Sequence, residues 1–194
     1  VVETGAGPAV VNARLGPDFQ PVGPGTLTFL ESGSLAERGS VTLGGVNPGA
    51  AATGPGGRVH VVISGTFGGG DGSLSVVDPG TLREESHHTG FGEFPFSAAF
   101  GPDGRLYVGS FAYGIVVWDP ATGNFVHPPD QAVAPEGTPS VSSLGFDPDG
   151  RLYALRPDCQ GPSAALRLAA DFAVERTIPV GTCPIAIAFT EVED

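Results

Sequence analysis

The chain has 194 residues and a formal net charge of −12, from 21 acidic and 9 basic residues. Such a surface repels phosphate backbones and anionic lipids, which argues against nucleic-acid and membrane-surface partners, and no apolar run reaches the roughly 18 residues a spanning helix needs. With 31 Gly and 19 Pro beside 40% hydrophobic residues and a mean hydropathy of +0.11, the composition points to short strands and tight turns rather than disorder.

Every basic residue is Arg, and the chain opens Val1-Val2-Glu3 without a Met. That opening is the expectation for a processed chain, most commonly one that has lost a signal peptide, and so for an oxidising, secreted or cell-surface setting.

Along the chain, one turn signature recurs roughly every 46 residues. It reads Gly54-Pro55-Gly56-Gly57, Gly101-Pro102-Asp103-Gly104 and Asp147-Pro148-Asp149-Gly150. Each copy leads into Arg and a β-rich run, such as Arg105-Leu106-Tyr107-Val108. A proline precedes each turn (Pro48, Pro95, Pro139), Pro184 follows at the same interval, and third strands end in Asp-Pro at Asp78-Pro79 and Asp119-Pro120. Each unit then reads as four strands, in the third unit near 97–100, 105–111, 114–118 and 124–127. Residues 164–172 have helical propensity but fill a third-strand slot, and the repeat decides for strand. Stepping back one period from Gly54-Pro55 lands on Gly7-Pro8, so the chain is read as opening at a turn, with second, third and fourth strands near 9–15, 26–31 and 37–43. It closes with a lone first strand, 184–190, and an acidic tail from Glu191 to Asp194.

Four-stranded units at this period are the sequence mark of a β-propeller. The stretches Ile178-Pro179-Val180-Gly181-Thr182-Cys183-Pro184-Ile185-Ala186-Ile187-Ala188-Phe189 and Gly101 to Val108 with Val116-Val117-Trp118-Asp119-Pro120 resemble the YVTN/NHL-like repeat propellers. The expected architecture is a single all-β domain over 1–194, a four-bladed propeller of four-stranded antiparallel blades. The blades are approximately 1–46 plus 184–194, 47–93, 94–138 and 139–183. Ile185, Ile187 and Phe189 would close the ring by completing the first blade, since an unpaired apolar strand is an aggregation hazard. Donation of that strand to a neighbouring molecule and an eight-bladed ring of two chains are the alternatives. Small residues at Ala50, Ser97, Ser143 and Ala186 fit four inner strands crowded on one axis.

The resemblance also implies an alternative, the metal-dependent lactonase-type propellers, which hold a divalent metal on the axis with oxygen ligands. The inner strands here carry no Asp, Glu, His or Cys, so no metal, cofactor or catalytic residue is expected. His60, His87, His88 and His127 are read as strand or loop histidines, because adjacent strand residues face opposite ways. Gly68-Gly69-Gly70-Asp71-Gly72 lacks the partners of a phosphate or calcium loop and is read as a hairpin loop. Phe67, Phe91, Phe94, Phe96, Phe111 and Tyr113 lie in or near loops and form the candidate interaction surface. Cys159 and Cys183, in two loops of one face, are read as a disulfide, with two free buried thiols as the alternative. The functional expectation is a secreted, non-enzymatic structural or interaction module. Its partner is protein, foremost other copies of itself, and glycan or peptide binding is a further alternative.

Overall fold

The structure is a computed structural model and describes residues 1–190, so the acidic tail from Glu191 onward lies outside the described residues. Sixteen strands form four four-stranded antiparallel sheets among the described residues, each joined in sequence order. They fall into two compact units, Val1–Phe96 and a second beginning at Ser97.

The first unit holds the sheet β1 (Val2–Thr4), β2 (Gly7–Asn12), β3 (Thr26–Leu30) and β4 (Glu37–Thr42). Its second sheet is β5 (Pro48–Thr53), β6 (Val59–Ile63), β7 (Gly72–Asp78) and β8 (Arg83–Gly92). Strand β3 alternates as a half-buried strand must: Leu27 and Phe29 face the core, while Thr26 and Thr28 face away. Leu27, Phe29, Val41 and Leu43 pack with Val59, Val61, Ile63 and Val77 in one cluster. Strand β6 is buried along its whole length, which explains its unbroken Val-His-Val-Val-Ile run: a strand covered on both faces has no polar side to show.

The second unit holds β9 (Pro95–Phe100), whose first residues lie at the junction, then β10 (Leu106–Ser110), β11 (Gly114–Asp119) and β12 (Asn124–His127). Its other sheet is β13 (Ser143–Phe146), β14 (Leu152–Arg156), β15 (Ser163–Leu168) and β16 (Val174–Val180). Its core joins Ile115, Val117 and Val141 to Leu144, Leu152, Ala154, Leu166 and Leu168. The stretch with helical propensity is strand β15, as the repeat requires.

The Pro-Asp-Gly turns form because Gly supplies a positive φ that other residues resist. Gly104 (φ 76) and Gly150 (φ 78) donate their N–H groups to Gly101 and Asp147 at 3.0 and 2.8 Å. The turns between third and fourth strands show a different device. Their left-handed position is Gly123 (φ 68) in one sheet but Leu35 (φ 55), Leu82 (φ 53) and Phe172 (φ 66) in the others. A bulky side chain is costly there. Leu82 and Phe172 offset the strain by packing onto the cores of their units.

The N-terminal sheet departs from the sequence reading. The slot inside β2 is held by the chain's own β1, paired Val2↔Ala9, Glu3↔Pro8 and Thr4↔Gly7. Residues 184–190, with Ile185, Ile187 and Phe189, are assigned to no strand. The departure at β1 comes from the register at Gly7-Pro8. The first turn is Gly5-Ala6, two residues tight, so Val2 to Thr4 already supply the inner strand that the sequence analysis left vacant. The Thr53 hydroxyl of β5 donates to the Glu3 carbonyl at 2.5 Å and ties β1 down.

Phe29 is fully buried at the centre of the first cluster. Phe29→Ala is expected to destabilise the protein by about 3–5 kcal/mol in urea denaturation. A loss below about 1 kcal/mol would show that this cluster is not the core of its unit.

Candidate functional site

The most exposed aromatic surface is in the first unit. Phe67 sits in the hairpin loop between β6 and β7 and is 77% exposed. Asp71 shapes that loop: one carboxylate oxygen accepts the Thr66 N–H at 2.8 Å and the other accepts the Thr66 hydroxyl at 3.0 Å. The glycines of the loop lie in this hairpin turn. Phe94, between β8 and β9, presents its ring face to Phe67, with centroids 5.1 Å apart at 67°. Phe96 stacks beneath Phe94 at 5.8 Å and 3°. Phe94 holds φ 50, a strained conformation for a bulky residue that persists only where surrounding structure fixes it. The three rings make a ladder whose outer rung is in solvent.

The other members of the expected surface are placed differently. Phe91 is fully buried. The β7–β8 ladder jumps from Ser73↔Thr89 to Gly72↔Gly92, so Gly90 and Phe91 form a bulge, and a bulge re-aims its side chain. Phe91 is therefore a core residue and not part of an interaction loop. Phe111 and Tyr113 lie in the β10–β11 loop of the second unit and are both half-buried. Burial pushes the Tyr113 phenol well above its usual range, against a hydrogen bond with the Ser110 side chain that lowers it.

Of the histidines, His60 is buried at 3% exposure. Burial pulls it down to about 4, the Arg58 backbone raises it, and the neighbouring His88 lowers it. His88 is itself lowered, first by burial and then by His87. His87 and His88 point to opposite faces and find different partners, Ser75 at 3.2 Å and Ser86 at 3.0 Å. Among the described residues no three His, Cys, Asp or Glu side chains converge as a metal site would require.

The second unit carries a groove of about 480 Å³ between its two sheets. Tyr107, Phe146, Phe172 and His127 form its walls. Tyr107 meets Phe146 edge-on at 5.0 Å, and His127 meets Phe172 at 5.4 Å. Its rim is charged and paired: Arg105 with Asp103 at 3.6 Å, Arg151 with Asp149 at 2.6 Å, and Glu175 with Arg167 at 3.1 Å. Burial, then Asp103, push the Tyr107 phenol up to about 12. It remains a neutral donor and reaches Asp103 at 3.1 Å. Such a groove can stack a flat or ring-shaped ligand and hydrogen-bond its edge. The sequence analysis passed over it because its walls come from four separate turns and strands, and no local motif joins them.

Cys159 and Cys183 form a disulfide, with Cα atoms 4.3 Å apart. Around it, the Cys183 N–H donates to the Asp158 carbonyl at 3.1 Å and the Ser163 hydroxyl donates to the same carbonyl at 3.0 Å. The bridge fixes the residue immediately before Pro184 to the β14–β15 loop.

No family model and no curated protein matches the chain. Among solved structures it is similar to Kuenenia stuttgartiensis hydrazine synthase, a β-propeller-containing protein, with a TM-score of 0.64 and 21% identity. The likeness covers 80% of this chain and 43% of that one, so the chain spans less than half the length of that structure. At this identity it concerns the fold alone. With the four four-stranded antiparallel sheets, it fits a β-propeller fold.

The buried His60 generates a pH prediction. Its folded pKa lies below the unfolded value near 6.5, so between those values the unfolded chain binds the extra proton. Stability from this site is complete above pH ~6.5 and is lost as pH falls towards ~4, by on the order of 3 kcal/mol. His60→Gln should flatten that part of the stability profile. Identical profiles for variant and wild type would contradict the burial of a neutral imidazole.

Proposed function

We propose that this chain is a secreted, non-enzymatic interaction module, a repeat propeller of YVTN/NHL-like kind that associates with protein partners, foremost other copies of itself. The observation that carries the reading is the Phe67–Phe94–Phe96 ladder. A 77%-exposed phenylalanine on a loop held by Asp71 is costly to keep in water and is the type of anchor that dominates protein interfaces. The disulfide supports an oxidising compartment. No helix among the described residues is long and apolar enough to cross a membrane.

A second reading, glycan binding, is favoured by the groove of the second unit. Its aromatic walls would stack a sugar ring while Asp103 and Glu175 accept hydroxyl hydrogen bonds.

Sedimentation velocity over a concentration series tests the first reading. The full chain should associate, and Phe67→Ser should weaken association about tenfold or more with an unchanged melting temperature. A chain that is monomeric at all concentrations, and that instead shifts its melting temperature with soluble oligosaccharide in a way Phe172→Ala abolishes, would favour the groove.

A further inference from the structure

Phe67 is not alone at its end of the first unit. The loop between β2 and β3 spans thirteen residues, 13–25, against eight, three and six between the second and third strands of the other sheets. It forms an ordered arm. Leu15 and Pro21 pair across it, the Val22 N–H donates to the Arg14 carbonyl at 2.9 Å, and the Gly16 N–H donates to the Gln20 carbonyl at 2.8 Å. At its tip the Phe19 N–H donates to the Gly16 carbonyl at 3.0 Å, and Asp18 Oδ1 accepts the Gln20 N–H at 3.2 Å. Phe19 holds φ 60 and is 80% exposed. Leu82 and Phe172 offset the same backbone strain by packing on a core, whereas Phe19 belongs to neither core cluster. A strained ring kept in water points to a use outside the fold.

The arm and the Phe67 loop rise from the same end of the unit, because the linker between β4 and β5 is tied to the base of both. The Leu43 N–H donates to the Gly25 carbonyl and the Gly25 N–H to the Gly45 carbonyl, each at 2.9 Å. The Ser64 and Gly65 N–H groups donate to the carbonyls of Asn47 and Val46 at 2.9 and 3.1 Å. Beside Phe19, Val22 is 64% and Leu15 42% exposed. With Phe67, these side chains offer roughly 500 Å² of apolar surface. Doubled across a pair of copies that is about 1,000 Å², where specific interfaces begin. Charge selects the same end. The arm and the Phe67 loop hold one cation, Arg14, and two carboxylates, Asp18 and Asp71, on a chain of net charge −12. Both carboxylates are turned onto N–H groups of their own loops. Two such acidic copies repel least where they meet at this end.

We propose that the Phe19 arm and the Phe67 loop form one surface that meets the same surface of a second copy about a two-fold axis. The proposal rests on the self-association reading above and adds to it the arm and the symmetry. The arm and the loop are two ridges, and Gly44 and Gly45 of the linker put no side chain between them. A ridge of each copy can therefore enter the gap of the other. A contact in which one surface serves both partners is closed and stops at two copies. The bonds along the arm and the Asp71 contacts to Thr66 hold both ridges before they meet, so little ordering remains to oppose association.

Sedimentation equilibrium of the full chain over a concentration series should give a mass that levels at two copies. Phe19→Gly removes the ring and suits the left-handed backbone. It should raise the dissociation constant about tenfold or more, while the melting temperature, read at a concentration where both chains are monomeric, holds or rises. Species that grow past two copies with concentration would overturn the two-fold contact. If Phe19→Gly pairs like the unchanged chain while Phe67→Ser does not, the arm has no part in the contact, and the self-association reading stands without this inference. A Phe19→Gly chain that melts several degrees lower would make the ring part of its own unit's packing and would also overturn the inference. A chain that is monomeric at all concentrations would defeat both readings. If that monomer binds phosphatidylcholine vesicles through Phe19, the arm belongs to a lipid surface instead.

Discussion

The structure depends on how the innermost strand of one sheet lies over the second strand of the sheet before it. That strand has two duties. It supplies the backbone partner for its own sheet, and its alternate side chains pack on the preceding sheet. In the second unit Phe146 performs the packing on Tyr107, and Phe189 repeats it on Tyr153. In the first unit Thr53 reaches back to Glu3.

Two of the side-chain clusters are built from aromatic rings. The Phe67 ladder is exposed and rests on a strained Phe94. The groove of the second unit rests on a strained Phe172, whose turn could have used glycine as Gly123 does. In both places backbone strain is kept in order to hold a ring where a partner could use it. The titratable groups are placed differently. His60 is buried and neutral, the rim arginines are paired, and Tyr107 is held protonated as a donor to Asp103. These arrangements stabilise and position.

Much of the fold was legible in the sequence because turn chemistry is local. Pro-Asp-Gly at 102–104 and 148–150 announces its own φ values, and two such turns at a fixed interval locate the strands between them. Within the stretch of helical propensity at 164–172, the repeat correctly placed a strand, which occupies 164–168. The start of the chain was misread for the same reason that the rest was legible. Gly7-Pro8 imitates Gly54-Pro55, yet the working turn is Gly5-Ala6, a hairpin loop three residues shorter than its counterparts at 54–58 and 147–151. Once that register slipped, the inner strand Val2 to Thr4 went unseen. Phe91 was misplaced because strand β8 runs on to Gly92 and the bulge at Gly90 and Phe91 lies within it, where a loop was expected. The groove was invisible because its walls meet only in three dimensions.

Backbone amide hydrogen exchange, read residue by residue, tests the central claim most directly. In Tyr107→Ala, which removes the ring that Phe146 packs on, the amides of β13 and β14 should lose protection together with those of β10. Loss confined to β10, with β13 and β14 as protected as in the unchanged chain, would contradict the account, because it would show that an inner strand does not depend on the sheet before it.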